Sequence, residues 1–301
     1  MIPSARLVRL SIGVLRVVPA PVARWLARAV GRIAFALARD RRRVLLENQR
    51  YLSPDATPRE QRARARRTMV HLTDSAIDLF RLPSASREEL ARLVGVSGRE
   101  HLDRAMAMGR GVVAVTAHLG PYELGGAWLA LAGYPVHAMV EELSPETNAA
   151  LALYREATGM RLLSRNGGLR AALRLLRAQQ VVLLVADRVV GDGSDGVVVR
   201  FGAGERAVPT GPAALALATG APIIVGTITR TGARAPRYLV ELAPPIVAEA
   251  TADGRANREQ LTRRIAERLA AAVVAHPDEW FVFQPEWMTA SPLARAQHRD
   301  D

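Results

Sequence analysis

His118 and Glu123 are the pair whose residue types and spacing best suit catalysis. His118 closes the run Gly111-Val112-Val113-Ala114-Val115-Thr116-Ala117, which reads as a buried strand. Leu119 and Gly120 then make a turn, and Pro121 suits the first position of a helix carrying Glu123 in its first turn. On one continuous helix the two side chains would point roughly 140° apart, at ~100° per residue, but across a strand-to-helix turn they can hydrogen-bond. An imidazole whose tautomer is fixed by a carboxylate can serve as a general base. Carboxyl ends of strands in open α/β sheets are where ligands sit. The plainer account makes His118 a satisfied polar residue and Glu123 an acid favoured by the helix dipole.

The remaining chemistry is narrow. The sequence has no Cys, so thiolate catalysis, disulfides and cysteine zinc sites are excluded. All 41 basic residues are Arg, so lysine chemistry is absent too. No Ser stands in a G-x-S-x-G elbow and no H-E-x-x-H occurs. His71, His101, His137 and His298 are scattered, which predicts no metal site, and His276 near the closing motif is a weaker candidate for an active-site rim.

Phosphate groups call for Arg and helix N-termini. Arg165 precedes Gly167 and Gly168 at the start of an expected helix, Arg188, Arg200 and Arg206 flank a glycine-rich stretch, and Thr210 with Gly211 opens another helix ahead of Pro212. An Arg-rich chain also places many arginines simply in solvent, and Thr210 needs no ligand as an N-cap. The run Gly191 to Gly196 fits G-x-G-x-x-G, but it leads into Val197-Val198-Val199 rather than a helix, so it reads as a glycine turn and not a dinucleotide site.

Short apolar strands alternate with helical patterns from Gly111 onward. Strands are expected at Val112 to Thr116, Val136 to Val140, Val181 to Ala186, Val197 to Phe201 and Ile223 to Thr229, and helices at 121–132, 145–158, 168–178, 211–219 and 255–275. This alternation predicts an α/β fold, a mixed sheet covered by helices. Before it, the chain reads as helices to about residue 109. The expected division is a helical N-terminal part over 1–100 and an α/β catalytic domain over 101–301, packed as one unit.

Charge is concentrated at the start. Residues 1–50 hold eleven Arg against Asp40 and Glu47, which leaves +9 of the chain's +12 in that segment. Apolar residues such as Leu10, Val14, Trp25, Leu26, Val30 and Ile33 recur among them near helical spacing. The uncharged run from Leu10 to Leu15 is far shorter than the ~20 residues a membrane span needs. A basic amphipathic segment lying on an anionic bilayer is the expectation; a purely packed helix pair with a solvated Arg face is the alternative. Nucleic acid is disfavoured, because aromatics make up only 5% and no recognition motif is present.

The sequence resembles the lipid A biosynthesis acyltransferase family, which includes the phosphatidylinositol mannoside acyltransferases. The resemblance rests on the basic N-terminal helix pair, His118-Leu119-Gly120-Pro121-Tyr122-Glu123, Val185-Ala186-Asp187-Arg188, Phe201-Gly202, Val208-Pro209-Thr210-Gly211-Pro212-Ala213, Trp280 and Gln284-Pro285-Glu286-Trp287. It implies transfer of a fatty acyl chain from a thioester of coenzyme A or acyl carrier protein to a hydroxyl of a glycolipid or lysolipid, peripherally at the cytoplasmic face of the bacterial inner membrane. No further cofactor is implied. His118 would be the general base oriented by Glu123, with Arg165, Asp187, Arg188, Arg206, Thr210 and Gly211 binding substrate. The closing run lacks the W-x-W-x-H-R-R-like pattern of Gram-negative lipid A enzymes and is more similar to the mannoside enzymes, although those typically carry Asp where Glu123 stands. A catalytically silent protein that docks on anionic lipid, or a soluble thioesterase, are the competing functions.

Overall fold

In the computed structural model, residues 13–15, 17–82, 85–140, 158–164, 168–189, 196–233, 235–248 and 254–288 are described. The sheet is built around β2 (Val112–Thr116), every residue of which is buried. It runs parallel to β5 (Val181–Val185) on one side and β8 (Ile223–Arg230) on the other. Strands covered on both faces read as unbroken apolar runs, and β2 is one. Beyond β5 lie β3 (Val136–Val140) and β4 (Arg161–Ser164), both parallel. Beyond β8, β9 (Tyr238–Leu242) is antiparallel, and β1 (Val94–Ser97) completes the seven strands in the order β1-β9-β8-β2-β5-β3-β4. The mixed α/β sheet is the one expected. A separate antiparallel hairpin joins β6 (Gly196–Phe201) to β7 (Gly204–Pro209).

Each face of the sheet has its own core. Val113 and Val115 pack with Ala172 and Leu176 of α7 (Gly168–Arg177), Leu215 of α8 (Gly211–Thr219) and Ile265 and Leu269 of α9 (Gly254–Ala275). Val112 and Ala114 pack with Leu102 of α5 (Arg99–Ala107) and Leu124, Ala127 and Leu129 of α6 (Tyr122–Leu131). A short α4 (Arg87–Leu93), started by a Ser86–Glu89 capping box, feeds β1.

The expected elements at 112, 136, 181, 197 and 223 and the helices at 168, 211 and 255 appear within about one residue of their predicted bounds. The helix carrying Glu123 starts at Tyr122, so Pro121 is its N-cap rather than its first residue. The expected helix at 145–158, Arg165 and the glycine turn at 191–195 lie outside the described residues, save Thr158. One expectation needs correction. The region before residue 109 is not all helix, because Val94–Ser97 pairs with Tyr238–Glu241. β1, on the N-terminal side of the expected division at residue 100, belongs to the main sheet.

The N-terminal helices are α1 (Ala20–Leu37), α2 (Arg39–Leu52) and α3 (Pro58–Arg81), the last begun by a Thr57–Glu60 capping box. α1 turns its small residues inward: Ala23, Ala27 and Gly31 are buried against α3 with Phe35. A Cβ on Gly31 would stand 2.6 Å from Thr73 Oγ1 and 2.8 Å from Val70 Cα, so only glycine permits this close crossing. The opposite face of α1 presents Val22, Trp25, Leu26, Val30, Ile33 and Leu37 to solvent, with Trp25 66% and Leu37 75% exposed. Arg24 and the more exposed Arg28 pair with Asp78 and Asp74 of α3. The solvated arginine face of the alternative reading is thus largely apolar, and Arg24 and Arg28 are paired with α3. Among the described residues no helix is long and apolar enough to cross a membrane.

The same two aspartates tie α3 to the sheet. Arg230 Nη1 donates to Asp74 at 2.7 Å and Arg230 Nη2 to Ser75 Oγ at 2.7 Å, Arg237 reaches Asp74, and Tyr238 donates its hydroxyl to Asp78 at 2.7 Å. Four guanidinium groups thus surround two buried carboxylates, which is why Asp74 stays charged: burial pushes its pKa up, but the arginines pull it below its ordinary value.

Candidate active site

The parallel register of β2 and β5 brings two polar residues together. Thr116 pairs with Val185, and both chains continue for one alanine before delivering His118 and Asp187 at the same level. Asp187 Oδ1 lies 2.7 Å from His118 Nδ1, and Oδ2 accepts the His118 backbone N–H at 3.0 Å and Trp280 Nε1–H at 2.7 Å. Asp187 is wholly enclosed, while the His118 side chain keeps 21% of its surface exposed. Burial by itself pushes the Asp187 carboxyl up; the adjoining imidazole and the hydrogen bonds from His118 and Trp280 reverse this and hold it well below the usual carboxylate range. The result is a fixed negative charge behind a partly open imidazole. That arrangement orients the ring and stabilises it when protonated.

The turn beyond His118 is fastened by the closing segment of the chain. Gly120 N–H donates to Glu279 O at 2.8 Å, Phe281 N–H donates to His118 O at 2.8 Å, and Leu119 bridges Trp280. Gly120 has φ +56°, and a Cβ there would lie 2.1 Å from Ile228 O, so the turn requires glycine. The buried Glu279 carboxylate accepts Arg230 N–H with both oxygens at 3.1 Å, and burial pushes its pKa up to about 7. α2 anchors the same segment: Asn48 Nδ2 donates to Val282 O at 2.9 Å and receives Trp287 Nε1–H on its Oδ1 at 2.7 Å.

These positions revise several expectations. Glu123 was expected to orient the His118 ring; Nδ1 is held by Asp187, because the strand register delivers that carboxylate directly beside the ring. Glu123 stands half-buried in the first turn of α6. Asp187 was expected to bind substrate, but it has no exposed surface and its oxygens serve His118 and Trp280. Arg206 was likewise expected at the substrate; it is fully buried, donates from Nη2 to Glu286 Oε2 at 2.7 Å, and lies 4.6 Å over the Trp280 ring. It forms the wall behind Asp187, where a buried cation needs that partner and those aromatic faces. Arg188 remains at the rim, half-buried, and its charge is felt by Glu286. Thr210 and Gly211 begin α8, which runs back to start β8, so this helix N-terminus lies toward the same carboxyl edge of the sheet. Sequence reasoning missed the roles of Trp280, Glu279 and Asn48, although Trp280 had been noted within the closing motif.

A narrow apolar cavity of about 40 Å³ adjoins the site between α6 and the sheet. Thr116 and Tyr122, on either side of His118 in sequence, line one part of it; Gly125, Leu129, Ile228 and Val240 line more. Tyr122 packs edge-on against the His118 ring at 5.2 Å.

Residues 4–289 match the model of the bacterial lipid A biosynthesis acyltransferase family. The chain belongs to this family. It is an acyltransferase, and two relatives are similar over most of their length. A phosphatidylinositol mannoside acyltransferase of Mycobacterium tuberculosis is 32% identical over 230 residues, 74% of this chain and 70% of that one. A protein of the same name from Mycolicibacterium smegmatis is 30% identical over 216 residues, 70% of this acyltransferase and 68% of that one. The solved 1-acyl-sn-glycerophosphate (LPA) acyltransferase, PlsC, from Thermotoga maritima is 13% identical, with a TM-score of 0.38 over 69% of this chain and 83% of that chain.

Proposed function

We propose that this acyltransferase moves a fatty acyl chain from a thioester, of coenzyme A or acyl carrier protein, to a hydroxyl of a membrane glycolipid. The observation that carries this reading is His118, partly open and held at Nδ1 by the enclosed Asp187, next to an apolar cavity. With Nδ1–H fixed on Asp187, Nε2 takes the proton of the acceptor hydroxyl as its oxygen attacks the thioester carbon. The tetrahedral intermediate collapses with cleavage of the C–S bond, and the imidazolium returns its proton to the departing sulfur. Attack is direct, since the chain has no Cys and no serine elbow to carry the acyl group. The apolar cavity receives one stretch of the acyl chain, and Arg188 with the N-terminus of α8 receives phosphate.

The relatives' name supports a mannosylated phosphatidylinositol as acceptor class, as does the Gln284-Pro285-Glu286-Trp287 ending. A peripheral position on the cytoplasmic face of the inner membrane is supported by the apolar outer face of α1, with arginines such as Arg32, Arg39 and Arg43 exposed nearby for anionic headgroups. The test is incubation of purified protein with hexadecanoyl coenzyme A and candidate acceptors, read by mass spectrometry. Mass gain of one acyl group on a glycolipid, lost in His118→Ala, is the expected result. Equal product with His118→Ala would overturn the mechanism, and thioester hydrolysis with no acylated lipid would indicate a thioesterase.

A further inference from the structure

Two adjacent glycines, Gly125 and Gly126, occupy the middle of α6, a helix of ten residues. Glycine is the least favourable residue in a helix interior after proline, so each position needs a reason. Gly126 has one in packing: a Cβ there would meet Met160 Sδ at 3.1 Å and Leu183 Cδ2 at 3.2 Å. Gly125 has none of that kind. Its Cβ would lie 3.6 Å from Ile228 Cγ2 and 3.9 Å from Val240 Cγ2, ordinary contact distances, and its backbone is helical. Alanine fits and would strengthen the helix.

What alanine would remove is space. Gly125 lines the apolar cavity together with Ile228 and Val240, the two side chains its Cβ would touch. In a cavity of about 40 Å³ one methyl group takes a large share of the room. We infer that Gly125 sets the length of acyl chain this enzyme accepts: the missing side chain leaves the slot into which the distal methylenes of the donor's chain slide. This rests on the acyl-transfer reading of the site and adds to it a residue that determines specificity. Tyr122, which packs on the His118 ring, lines the cavity with Gly125, Leu129 and Leu102, so a chain whose carbonyl is at His118 would run past Tyr122 and Gly125 between α6 and the sheet.

The test compares wild type, Gly125→Ala and Gly125→Leu with dodecanoyl, hexadecanoyl and octadecanoyl coenzyme A. Calorimetric binding of the free dodecanoate and hexadecanoate anions is the second readout. Each methylene denied its apolar site is worth roughly fourfold, from ~0.8 kcal/mol at 1.36 kcal/mol per decade. The hexadecanoyl-to-dodecanoyl ratio of kcat/KM should fall about fourfold in Gly125→Ala and on the order of 10²-fold in Gly125→Leu, and the binding preference should move the same way. Tm should rise by roughly 2 °C in Gly125→Ala, the mark of a helix improved while selectivity changes. Unchanged ratios in both variants, or an equal loss for every chain length, would overturn the inference while leaving acyl transfer intact. If wild type acylates nothing yet the binding preference still shifts with residue 125, the cavity assignment is upheld and the transfer reading fails.

Discussion

Asp187→Asn is the substitution that most directly challenges the proposed chemistry. Oδ2 of Asp187 accepts two N–H donors, from the His118 backbone and the Trp280 indole, whereas Oδ1 faces His118 Nδ1 at 2.7 Å. An asparagine has one acceptor oxygen, and it satisfies more donors in the Oδ2 position. Its NH₂ then points at Nδ1, which must give up its proton and accept. The imidazole is driven into the tautomer with hydrogen on Nε2, where it cannot act as a base. Loss of tautomer control of this kind costs about 10⁴-fold, and loss of a general base altogether ~10²–10⁴-fold. A fall in kcat of about 10³–10⁴-fold is therefore expected, about 4–5.5 kcal/mol of barrier. The assay is release of coenzyme A thiol in the presence of lipid acceptor, with near-UV circular dichroism to show a native fold. Glu123→Gln provides the comparison and should lose less, because Nδ1 belongs to Asp187. Should Asp187→Asn keep within tenfold of wild-type kcat while Glu123→Gln collapses, the hydrogen bond at Nδ1 is not the one that matters.

Three other outcomes follow from the same structure. Asp74→Ala leaves Arg28, Arg230 and Arg237 facing one another across α3, so it should lower folding stability by about 3–5 kcal/mol, measured by urea unfolding; less than 1 kcal/mol would show that water replaces the carboxylate. Glu279 retains its proton in the folded state up to about 7 against an ordinary 4.5, so the associated stability is complete below about 4.5 and is lost as pH rises to about 7. That amounts to about 3 kcal/mol, and Glu279→Gln should flatten the pH dependence of Tm over this range; an unaltered profile would assign it to other groups. A Trp25→Glu, Ile33→Glu pair on the outer face of α1 should leave Tm within a few degrees but abolish co-sedimentation with anionic vesicles, whereas sedimentation equal to wild type would mean that face has another partner.

Much of this was legible in the residues, and the exceptions have identifiable causes. Central strands were readable because burial on both faces makes them unbroken Val, Ile and Leu runs. β7 was not, since Glu205 and Arg206 interrupt it; Arg206 points inward only because Glu286 and three aromatic rings receive it. β1 was hidden among helices because its partner β9 lies far along the chain. His118 is legible from its place at a strand end, but the carboxylate that holds its Nδ1 is Asp187, far along the chain, and not the nearby Glu123 to which short spacing points. The true signal was the matched length of Val112-Val113-Ala114-Val115-Thr116-Ala117-His118 and Val181-Val182-Leu183-Leu184-Val185-Ala186-Asp187, which in parallel register must end side by side. On α1 the sequence pattern showed that an apolar stripe exists but not which way it faces; Ala23, Ala27 and Gly31 decide that, since only small residues allow the approach to α3.

The fastening of the His118 turn by residues 279–281 bears on the order in which the protein comes into being. A ribosome that has just released β9 has produced the whole seven-stranded sheet, yet Trp280 is still to come, and Asp187 lacks the indole that completes its hydrogen bonding. At ~5–20 residues per second, roughly tens of seconds separate the emergence of α1 from that of Trp280. The apolar face meets its surroundings long before the His118 turn is fastened. Chains stalled after Leu242 should accordingly bind vesicles without transferring acyl groups, and activity in such chains would mean that the closing segment is dispensable. Synthesis itself thus presents the apolar face of α1 first and fastens the His118 turn last.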